Sequence, residues 1–202
     1  MTRMSVVGLV LAAGGGSRMG GMPKANLSYR GEPLISRAVR AAFAGGCDRV
    51  LAVLGAEVER AGSLAEAAGA DVVVNTAWAE GMGVSLRSGL DAINLLAGDA
   101  SAALVLLVDQ PDVTGAAVAA VLGAQRDPAD ETVLAAAAYE GKRGHPVLLG
   151  RAHWAALRPT LDGDVGARAY LQEHRGELIL VPCEALADPR DLDRPEDLDL
   201  SD

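Results

Sequence analysis

The sequence predicts an α/β fold in which a three-layer, doubly wound, mostly parallel sheet of Rossmann-like type forms a single domain over residues 1–202. Short apolar runs bounded by glycine or charge alternate with amphipathic stretches, which is the strand and helix alternation of such sheets. Of the 202 residues 50% are hydrophobic but only 3% are aromatic. The core must therefore consist mainly of Ala, Val and Leu, a composition that favours helices packed on a parallel sheet.

The predicted elements follow one another in a regular order. The first strand is the apolar run at 6–13, and Gly31-Glu32-Pro33 begins the first helix because proline is tolerated in the first helical turn. That helix carries an apolar stripe and ends at Gly45-Gly46. Later segments alternate in the same way, and we predict strands at 49–54, 71–74, 102–108, 132–138, 146–149 and 178–181, and helices at 57–68, 84–96, 114–122, 151–157 and 166–174.

The loop after the first strand predicts an anion site. The apolar run ends in Gly14-Gly15-Gly16, and Arg18 and Lys24 follow closely. Bare backbone N–H groups and two cations at the carboxyl end of a strand suit a ligand such as a triphosphate. The two common phosphate motifs do not match, since a dinucleotide fingerprint would need glycine at Met19 and a Walker loop would need lysine at Gly21. A glycine-rich turn that only links two elements is the alternative, and the two cations favour anion binding.

Charge and cysteine content limit the function classes. The net charge of −9 repels nucleic acid and anionic membranes, so neither is expected as a partner, and no apolar run reaches the length of a bilayer. Cys47 and Cys183 are too few and too far apart for a metal cluster or a disulfide framework, which indicates buried or incidental thiols in a reducing compartment. We interpret the N-terminal apolar run as a strand rather than a signal peptide, and we expect a cytoplasmic protein.

Asp109 is the second candidate for a functional residue. It directly follows the apolar strand predicted at 102–108 and precedes Gln110-Pro111. A carboxylate at the carboxyl end of a buried parallel strand lies at the ligand-binding edge of the sheet, where it is a natural Mg²⁺ ligand. The alternative is an aspartate that begins a turn ahead of a proline.

The segment 75–90 is a third candidate. A loop that leads from a strand into a helix here offers Gly83, Ser85 and neighbouring backbone groups to a base or a ribose. Trp78 provides a packing or stacking surface in the same segment. The alternative is a simple helix cap with Trp78 in the core.

The remaining polar residues give weaker signals. His145 precedes a proline, a position where histidine more often bonds to backbone than takes part in catalysis, so we expect no more than a contact to substrate. Arg168 is positioned to reach an anionic substrate, with a solvated arginine as the alternative. His153 and His174 are expected on the surfaces of predicted helices, and the acidic segment 188–197 is typical of a solvated end.

These segments, taken in order, resemble the MobA-like nucleotidyltransferases, and most closely the MocA-type molybdenum cofactor cytidylyltransferases. The resemblance implies a fold of the nucleotide-diphospho-sugar transferase, or GT-A, type. It spans nearly the whole chain and rests on six segments: Leu11-Ala12-Ala13-Gly14 with Arg18-Met19-Gly20 and Lys24; Gly81-Met82 with Ser85-Leu86 and Gly89-Leu90; Asp109-Gln110-Pro111; Gly144-His145-Pro146; Gly163-Asp164 with Gly166-Ala167-Arg168; and Asp191-Leu192-Asp193 before Pro195-Glu196-Asp197.

The resemblance implies a Mg²⁺-dependent enzyme that transfers CMP from CTP to the phosphate of the molybdenum–molybdopterin cofactor and releases pyrophosphate. Ala13 favours cytosine as the base, because the guanylyltransferase branch of the family usually has a second glycine at this position. The implied partners are a nucleoside triphosphate, preferably CTP, a phosphorylated pterin-type substrate and, transiently, a molybdenum hydroxylase.

The resemblance also implies a role for each matching residue. The catalytic residues would be Arg18, Lys24 and Asp109. The metal ligands would be Asp109 and one of the two aspartates Asp193 and Asp191. The substrate contacts would be His145 and Arg168. The nucleotide-binding residues would be Leu11, Ala12, Ala13, Gly14, Gly15, Gly16, Lys24, Gly83 and Ser85.

Two other functions stay open at this point. One is a guanylyl- or other nucleotidyltransferase that acts on a different phosphorylated metabolite. The other is a non-catalytic protein that binds a nucleotide or a cofactor and serves a molybdenum hydroxylase. The second is less favoured because both the cationic loop and Asp109 are present.

Overall fold

The structure is a computed structural model that describes residues 5–16, 22–194 and 196–199. This part of the chain contains the strands β1 Ser5–Ala12, β2 Ser28–Tyr29, β3 Glu32–Pro33, β4 Arg49–Leu54, β5 Asp71–Val74, β6 Ala100–Leu107, β7 Leu134–Tyr139, β8 Lys142–Gly150 and β9 Ile179–Pro182. Seven of them form one sheet in the order β5, β4, β1, β6, β8, β7, β9. All neighbours pair in parallel except β8, which is antiparallel to both β6 and β7. The predicted mostly parallel sheet is confirmed.

Helices cover both faces of this sheet. The described ranges contain α1 Leu34–Gly45, α2 Val58–Ala67, α3 Met82–Leu96, α4 Gly115–Leu122, α5 Arg151–Leu157, α6 Arg168–Glu173 and α7 Glu196–Asp199. Side chains of α1, α2 and α4 form one buried cluster with one face of the sheet, and side chains of α3, α5 and α6 form a second cluster with the other face. The three predicted layers are therefore present.

The central strand β6 shows why the chain adopts this arrangement. Seven of its eight residues are buried, and its sequence is a nearly continuous apolar run without alternation. Such a run is stable only where helices remove both faces of the strand from water. The buried side chains of both clusters are mostly Ala, Val and Leu, as the composition predicts.

The order of the strands creates a crevice at one edge of the sheet. From β1 the chain continues outward through β4 to β5, and it then crosses to β6 on the other side of β1. The segments that follow β1 and β6 therefore lead in opposite directions along the strand order and leave a crevice between them. Ligands bind at such a switch point in the strand order. The glycine loop that follows β1 and Asp109 beyond β6 both lie at this edge.

Two hairpins differ from the sequence-based prediction. β8 begins at Lys142 rather than at 146, because it pairs with β7 through a two-residue turn at Glu140 and Gly141, both with positive φ (52° and 74°). His145 therefore lies inside β8 and not at the start of a strand. A similar turn joins β2 to β3, so Glu32 and Pro33 form a short strand and α1 begins one residue later.

His153 is buried, so the expectation of a surface position is wrong. Its side chain is only 8% exposed. Its Nε2 lies 2.8 Å from the carbonyl oxygen of Thr132, which can only accept, so Nε2 donates and Nδ1 accepts from the Tyr170 hydroxyl at 2.9 Å. The His174 ring is stacked on Tyr170 and is partly buried. His153 therefore helps to hold α6 against the rest of the domain through its bond to Tyr170.

Among the helices of the described ranges, none combines the length and the apolar character that a membrane crossing requires.

Candidate active site

Two connected pockets open at the carboxyl edge of the sheet. The loop pocket, as we name it, has a volume of about 550 Å³ and is lined by the glycine loop, Lys24, Trp78, Ser85 and Asp193, among others. The wide pocket, of about 1300 Å³, is lined by β8, α6 and the segment 187–191. Asp109 and Asp164 line both pockets. The molecule therefore offers two adjoining binding volumes with a carboxylate at their junction.

Gly15 and Gly16 of the loop leave no room for a Cβ atom, because other parts of the chain lie very close to them. Gly16 has a φ of +64°, and a Cβ built there would lie 1.7 Å from the carbonyl oxygen of Met22. A Cβ on Gly15 would lie 2.9 Å from the ring of Trp78. An L-residue at Gly16 would be strained by its backbone conformation as well as by the clash. The chain thus returns tightly over the loop and leaves backbone groups facing the loop pocket.

Lys24 connects the two carboxylates of the site. Its Nζ donates to Oδ2 of Asp109 and to Oδ1 of Asp193, each at 2.8 Å. The lysine side chain is 17% exposed, against 24% for Asp109 and 42% for Asp193. Burial opposes the charged form of Lys24, but the hydrogen bonds and charges of the two aspartates outweigh it and raise the pKa of the lysine. Lys24 is therefore a firmly protonated cation between two anions.

The acidic segment is bonded to the residues that follow β6, which favours a place in the site over a solvated end. The N–H of Leu192 donates to the carbonyl oxygen of Asp109 at 2.8 Å, and the Leu192 side chain is 1% exposed. Nε2 of Gln110 donates to Oδ1 of Asp191 at 2.8 Å and to the carbonyl oxygen of Pro189 at 3.1 Å. These bonds fasten the segment alongside the residues that follow β6.

Asp193 and Asp191, the two candidate metal ligands of this segment, have different partners. Asp193 faces Lys24 and Asp109, whereas Asp191 is bonded to Gln110. Burial raises the pKa of Asp191, and the charges of Asp109 and Asp193 add to this, while the hydrogen bond from Gln110 opposes it. Three carboxylates therefore lie close to one another here, and Lys24 pairs with two of them.

The donor set suits a hard divalent cation. Within the described ranges no group of three or more His, Cys, Asp or Glu side chains is arranged to hold a metal ion. The carboxylates of Asp109 and Asp193 instead share the ammonium group of Lys24. Carboxylate oxygens are the ligands that Mg²⁺ and Mn²⁺ accept in proteins. The pair therefore fits the predicted metal, and Lys24 occupies the position between the two groups.

Gly83 and Ser85 occupy different places, although both are predicted to bind nucleotide. Ser85 lines the loop pocket, and its hydroxyl accepts from Nδ2 of Asn75 at 3.1 Å. Gly83 lies outside both linings, and its N–H donates to the carbonyl oxygen of Gly163 at 2.8 Å. A Cβ at Gly83 would lie 2.8 Å from the backbone nitrogen of Asp162. Gly83 thus allows the segment around Gly163 to pack against the start of α3.

The wide pocket contains the two residues predicted to contact substrate. His145 and Arg168 both line it. Burial lowers the pKa of His145 to about 4, an effect that Asp109 opposes and Arg143 strengthens. The peptide bond between His145 and Pro146 is cis. His145 is therefore a neutral imidazole near neutral pH, in a pocket that Asp109 and Arg143 also line.

Arg143 is a residue of this pocket that sequence reasoning missed. It lines the wide pocket from β8, and burial followed by the positive charge of Arg168 lowers its pKa. Within the described part of the chain neither arginine forms an ion pair with a carboxylate. The available signal was its position two residues before His145. Of the other predicted residues, Arg18 lies outside the described residues.

Comparison with known proteins agrees with this geometry. The family model for the MobA-like NTP transferase domain matches residues 8–178. The chain is 35% identical over 205 residues to nicotine blue oxidoreductase of Paenarthrobacter nicotinovorans, a match that covers 96% of this chain and 94% of that protein.

Solved structures show the same architecture. Rv0371c from Mycobacterium tuberculosis H37Rv is 28% identical with a TM-score of 0.77, over 98% of this chain and 96% of that one. The same protein in complex with manganese gives a TM-score of 0.72 at 28% identity, with 96% of each chain covered. A nucleotidyl transferase from Methanothermobacter thermautotroptrophicus is 25% identical with a TM-score of 0.72, over 98% of this chain and 96% of that one. The predicted nucleotide-diphospho-sugar transferase type of fold is confirmed.

Proposed function

The chain belongs to the MobA-like NTP transferase family, and we propose that it transfers CMP from CTP to the phosphate of the molybdenum–molybdopterin cofactor. The observation that carries the proposal is Lys24 between Asp109 and Asp193, at the point where the loop pocket meets the wide pocket. Nucleotidyl transfer needs positioning and charge neutralisation rather than a protein nucleophile. A cation and paired carboxylates between two binding volumes supply these requirements.

The loop pocket receives the nucleotide in this proposal. The segment 11–16, Lys24, Trp78 and Ser85 all line it, and the Trp78 ring packs next to Gly15. Exposed backbone N–H groups in a glycine loop bind phosphate oxygens, and Lys24 adds a positive charge. Trp78 is only partly buried, so its ring offers a surface for the base or the ribose. Arg18, which follows the loop, is proposed as a second cation on the triphosphate.

Asp109 and Asp193 are the residues that would hold the divalent metal. When bound there, the ion would neutralise charge on the phosphate oxygens and help to orient the α-phosphorus. The manganese in the related Rv0371c structure supports a metal of this kind, and we propose Mg²⁺ as the ion used. Asp191, which is bonded to Gln110, would add negative charge nearby.

The wide pocket receives the acceptor. Arg143 and Arg168 line it without carboxylate partners in the described residues, so their charges are available to a phosphate group. His145 lines the same pocket, and its pKa of about 4 keeps the ring neutral near neutral pH. It can orient the acceptor by a hydrogen bond, and no proton transfer through it is required.

The proposed step is an in-line displacement. An oxygen of the acceptor phosphate attacks the α-phosphorus of CTP, and the bond from the α-phosphorus to the oxygen bridging to the β-phosphorus breaks. Pyrophosphate leaves with that bonding electron pair, and the product carries CMP joined to the acceptor phosphate through a new P–O–P linkage. The glycine loop and Lys24 stabilise the charge of the leaving pyrophosphate.

The choice of CTP depends on Ala13, and the choice of acceptor depends on the family resemblance. Ala13 is buried at the end of β1 and lines the loop pocket. A cytoplasmic, single-domain enzyme that transiently meets a molybdenum hydroxylase completes the proposal. A guanylyl- or other nucleotidyltransferase with another phosphorylated acceptor would use the same residues, and a non-catalytic binding protein would bind CTP without releasing pyrophosphate.

Pyrophosphate release tests the proposal. The protein is incubated with Mg²⁺, the molybdenum–molybdopterin cofactor and each of CTP, GTP, ATP and UTP in turn, with an Asp109→Asn variant as the inactive control. We expect release at least tenfold faster with CTP than with the other nucleotides, and dependent on the acceptor. No release with any nucleotide would contradict the enzymatic assignment, and faster release with GTP would contradict the base preference.

One observation favours a second candidate, an oxidoreductase. The chain is similar along nearly its whole length to a protein named nicotine blue oxidoreductase. In that case the loop pocket would hold the phosphates of a reduced nicotinamide dinucleotide, which would pass a hydride to a conjugated organic substrate in the wide pocket while water supplied a proton. Oxidation of NADH or NADPH by nicotine blue, followed by absorbance, would favour this candidate if it occurred without pyrophosphate release from CTP.

A further inference from the structure

We propose that Lys24 occupies the metal position between Asp109 and Asp193 until a nucleotide enters, so that metal binding depends on the nucleotide. The identity of the incoming nucleotide rests on the proposed function. The competition between lysine and metal does not, because it follows from contacts within this chain.

The Lys24 ammonium group lies where a divalent ion bound by Asp109 and Asp193 would lie. A single ammonium nitrogen lies 2.8 Å from Oδ2 of Asp109 and 2.8 Å from Oδ1 of Asp193. A magnesium ion needs carboxylate oxygens at about 2.1 Å and also binds in the space between such groups. Lys24 and a divalent ion placed between the two groups would therefore compete for these oxygens. A metal that bridges Oδ2 of Asp109 and Oδ1 of Asp193 can bind only after the ammonium group leaves.

The departure of Lys24 requires a competing anion. Its ammonium group is bonded to two carboxylates at 2.8 Å each, so only another negatively charged group can attract it away from them.

The loop pocket is where such an anion would bind. Lys24 lines this pocket together with Gly14, Gly15 and Gly16. Its backbone is fixed, because the next residue, Ala25, is 1% exposed and the N–H of Leu27 donates to the carbonyl oxygen of Lys24. Only the flexible four-carbon side chain has to move. A triphosphate on the glycine loop would draw the ammonium group to its oxygens and leave the carboxylates to the metal.

Binding of Mn²⁺ alone, without nucleotide, tests this exchange. Free Mn²⁺ is measured by electron paramagnetic resonance during titration of the wild-type protein and of the Lys24→Met and Lys24→Gln variants, each checked for native circular dichroism. We expect both variants to bind Mn²⁺ at least tenfold more tightly than the wild type. Arg126→Met, which removes an exposed cation away from both pockets, is the control and should change the affinity less than twofold.

A double variant locates the effect. In Lys24→Met combined with Asp109→Asn the gain in Mn²⁺ affinity should disappear, since one of the two carboxylates is lost. Equal or weaker binding in both single variants would overturn the proposal, and so would a gain that survives the double substitution. If Mn²⁺ binding fails these expectations while CTP still yields pyrophosphate, the exchange is wrong and the proposed function stands. If Mn²⁺ binding meets these expectations while no nucleotide yields pyrophosphate, the exchange stands and the proposed function is wrong.

Discussion

The loop pocket and the wide pocket meet at Asp109, yet their charges are arranged differently. Of the described residues that line the loop pocket, Lys24 is the one cation, and two carboxylates bind it. In the wide pocket Arg143 and Arg168 lie close to each other without such partners in the described chain. In the loop pocket the ammonium group must leave its two carboxylates before it can meet an anion, whereas in the wide pocket the two arginines form no ion pair with a described carboxylate. We therefore expect the wide pocket to be preformed and the loop pocket to rearrange when an anion binds.

Removing the carboxylate at the junction should have the largest effect. We expect Asp109→Asn to lower the rate of pyrophosphate release by about 10²–10³-fold, because charge stabilisation in a preorganised site is worth several kcal/mol. Lys24→Ala should fall in the same range. Asp71→Asn is the matched control, since Asp71 also pairs with a cation, Arg49, but at the amino end of an edge strand. Near-normal turnover in both Asp109→Asn and Lys24→Ala would show that the loop pocket takes no part in catalysis.

The second prediction concerns the shape of the loop pocket. Gly16→Ala should raise the KM for the nucleotide by about 10- to 100-fold, because the added Cβ meets the Met22 carbonyl and the backbone conformation is unfavourable to alanine. Gly176→Ala is the control, since no atom lies within 4 Å of a Cβ built there and its φ is not in the left-handed region. An unchanged KM in Gly16→Ala would show that nucleotide binding does not depend on this turn.

The third prediction isolates the wide pocket. Arg143→Met should raise the KM for the phosphorylated acceptor about tenfold and leave the KM for the nucleotide unchanged, since a charge-assisted hydrogen bond contributes about 1.5–3 kcal/mol. Steady-state kinetics with each substrate varied in turn measures the split. Arg126→Met removes an exposed arginine away from both pockets and should change neither value. A rise confined to the nucleotide KM would reverse the assignment of the two pockets.

The smallest effect concerns the pH dependence of stability. The pKa of His145 is about 4 in the folded protein against about 6.5 in an unfolded chain. Between these values the unfolded chain binds more protons, so the stability contributed by the neutral imidazole is complete above pH 6.5 and is lost as the pH falls towards 4. Between pH 7 and pH 5 the free energy of unfolding in urea should fall by about 1–2 kcal/mol more for the wild type than for His145→Asn. Equal losses in the two proteins would contradict the buried neutral form.

Much of the fold and the location of the site are predictable from sequence. Consecutive parallel strands end at the same edge of a sheet, so the glycine loop after β1 and Asp109 after β6 could be placed together. The two hairpins with positive φ were missed because their turns, Arg30-Gly31 and Glu140-Gly141, carry one glycine each and lack the usual asparagine or aspartate.

The roles of individual residues depend on tertiary packing that the sequence does not display. Gly83 and Ser85 are two positions apart on α3 and therefore point in different directions, so only one of them lines the loop pocket. Asp193 reaches Lys24 while Asp191 is bonded to Gln110, and the buried Leu192 between them anchors the segment. His153 is internal because Thr132 and Tyr170, distant in sequence, offer hydrogen bonds to it.

A crystal structure with Mn²⁺ and α,β-methylene-CTP, an analogue that the enzyme cannot cleave, tests the division into two pockets most directly. We predict triphosphate oxygens on the backbone of the glycine loop, the metal on Asp109 and Asp193, and the Lys24 ammonium group moved to the phosphates. The wide pocket should remain open, with Arg143 and Arg168 facing it. A nucleotide bound in the wide pocket, or a metal that contacts neither Asp109 nor Asp193, would contradict this assignment.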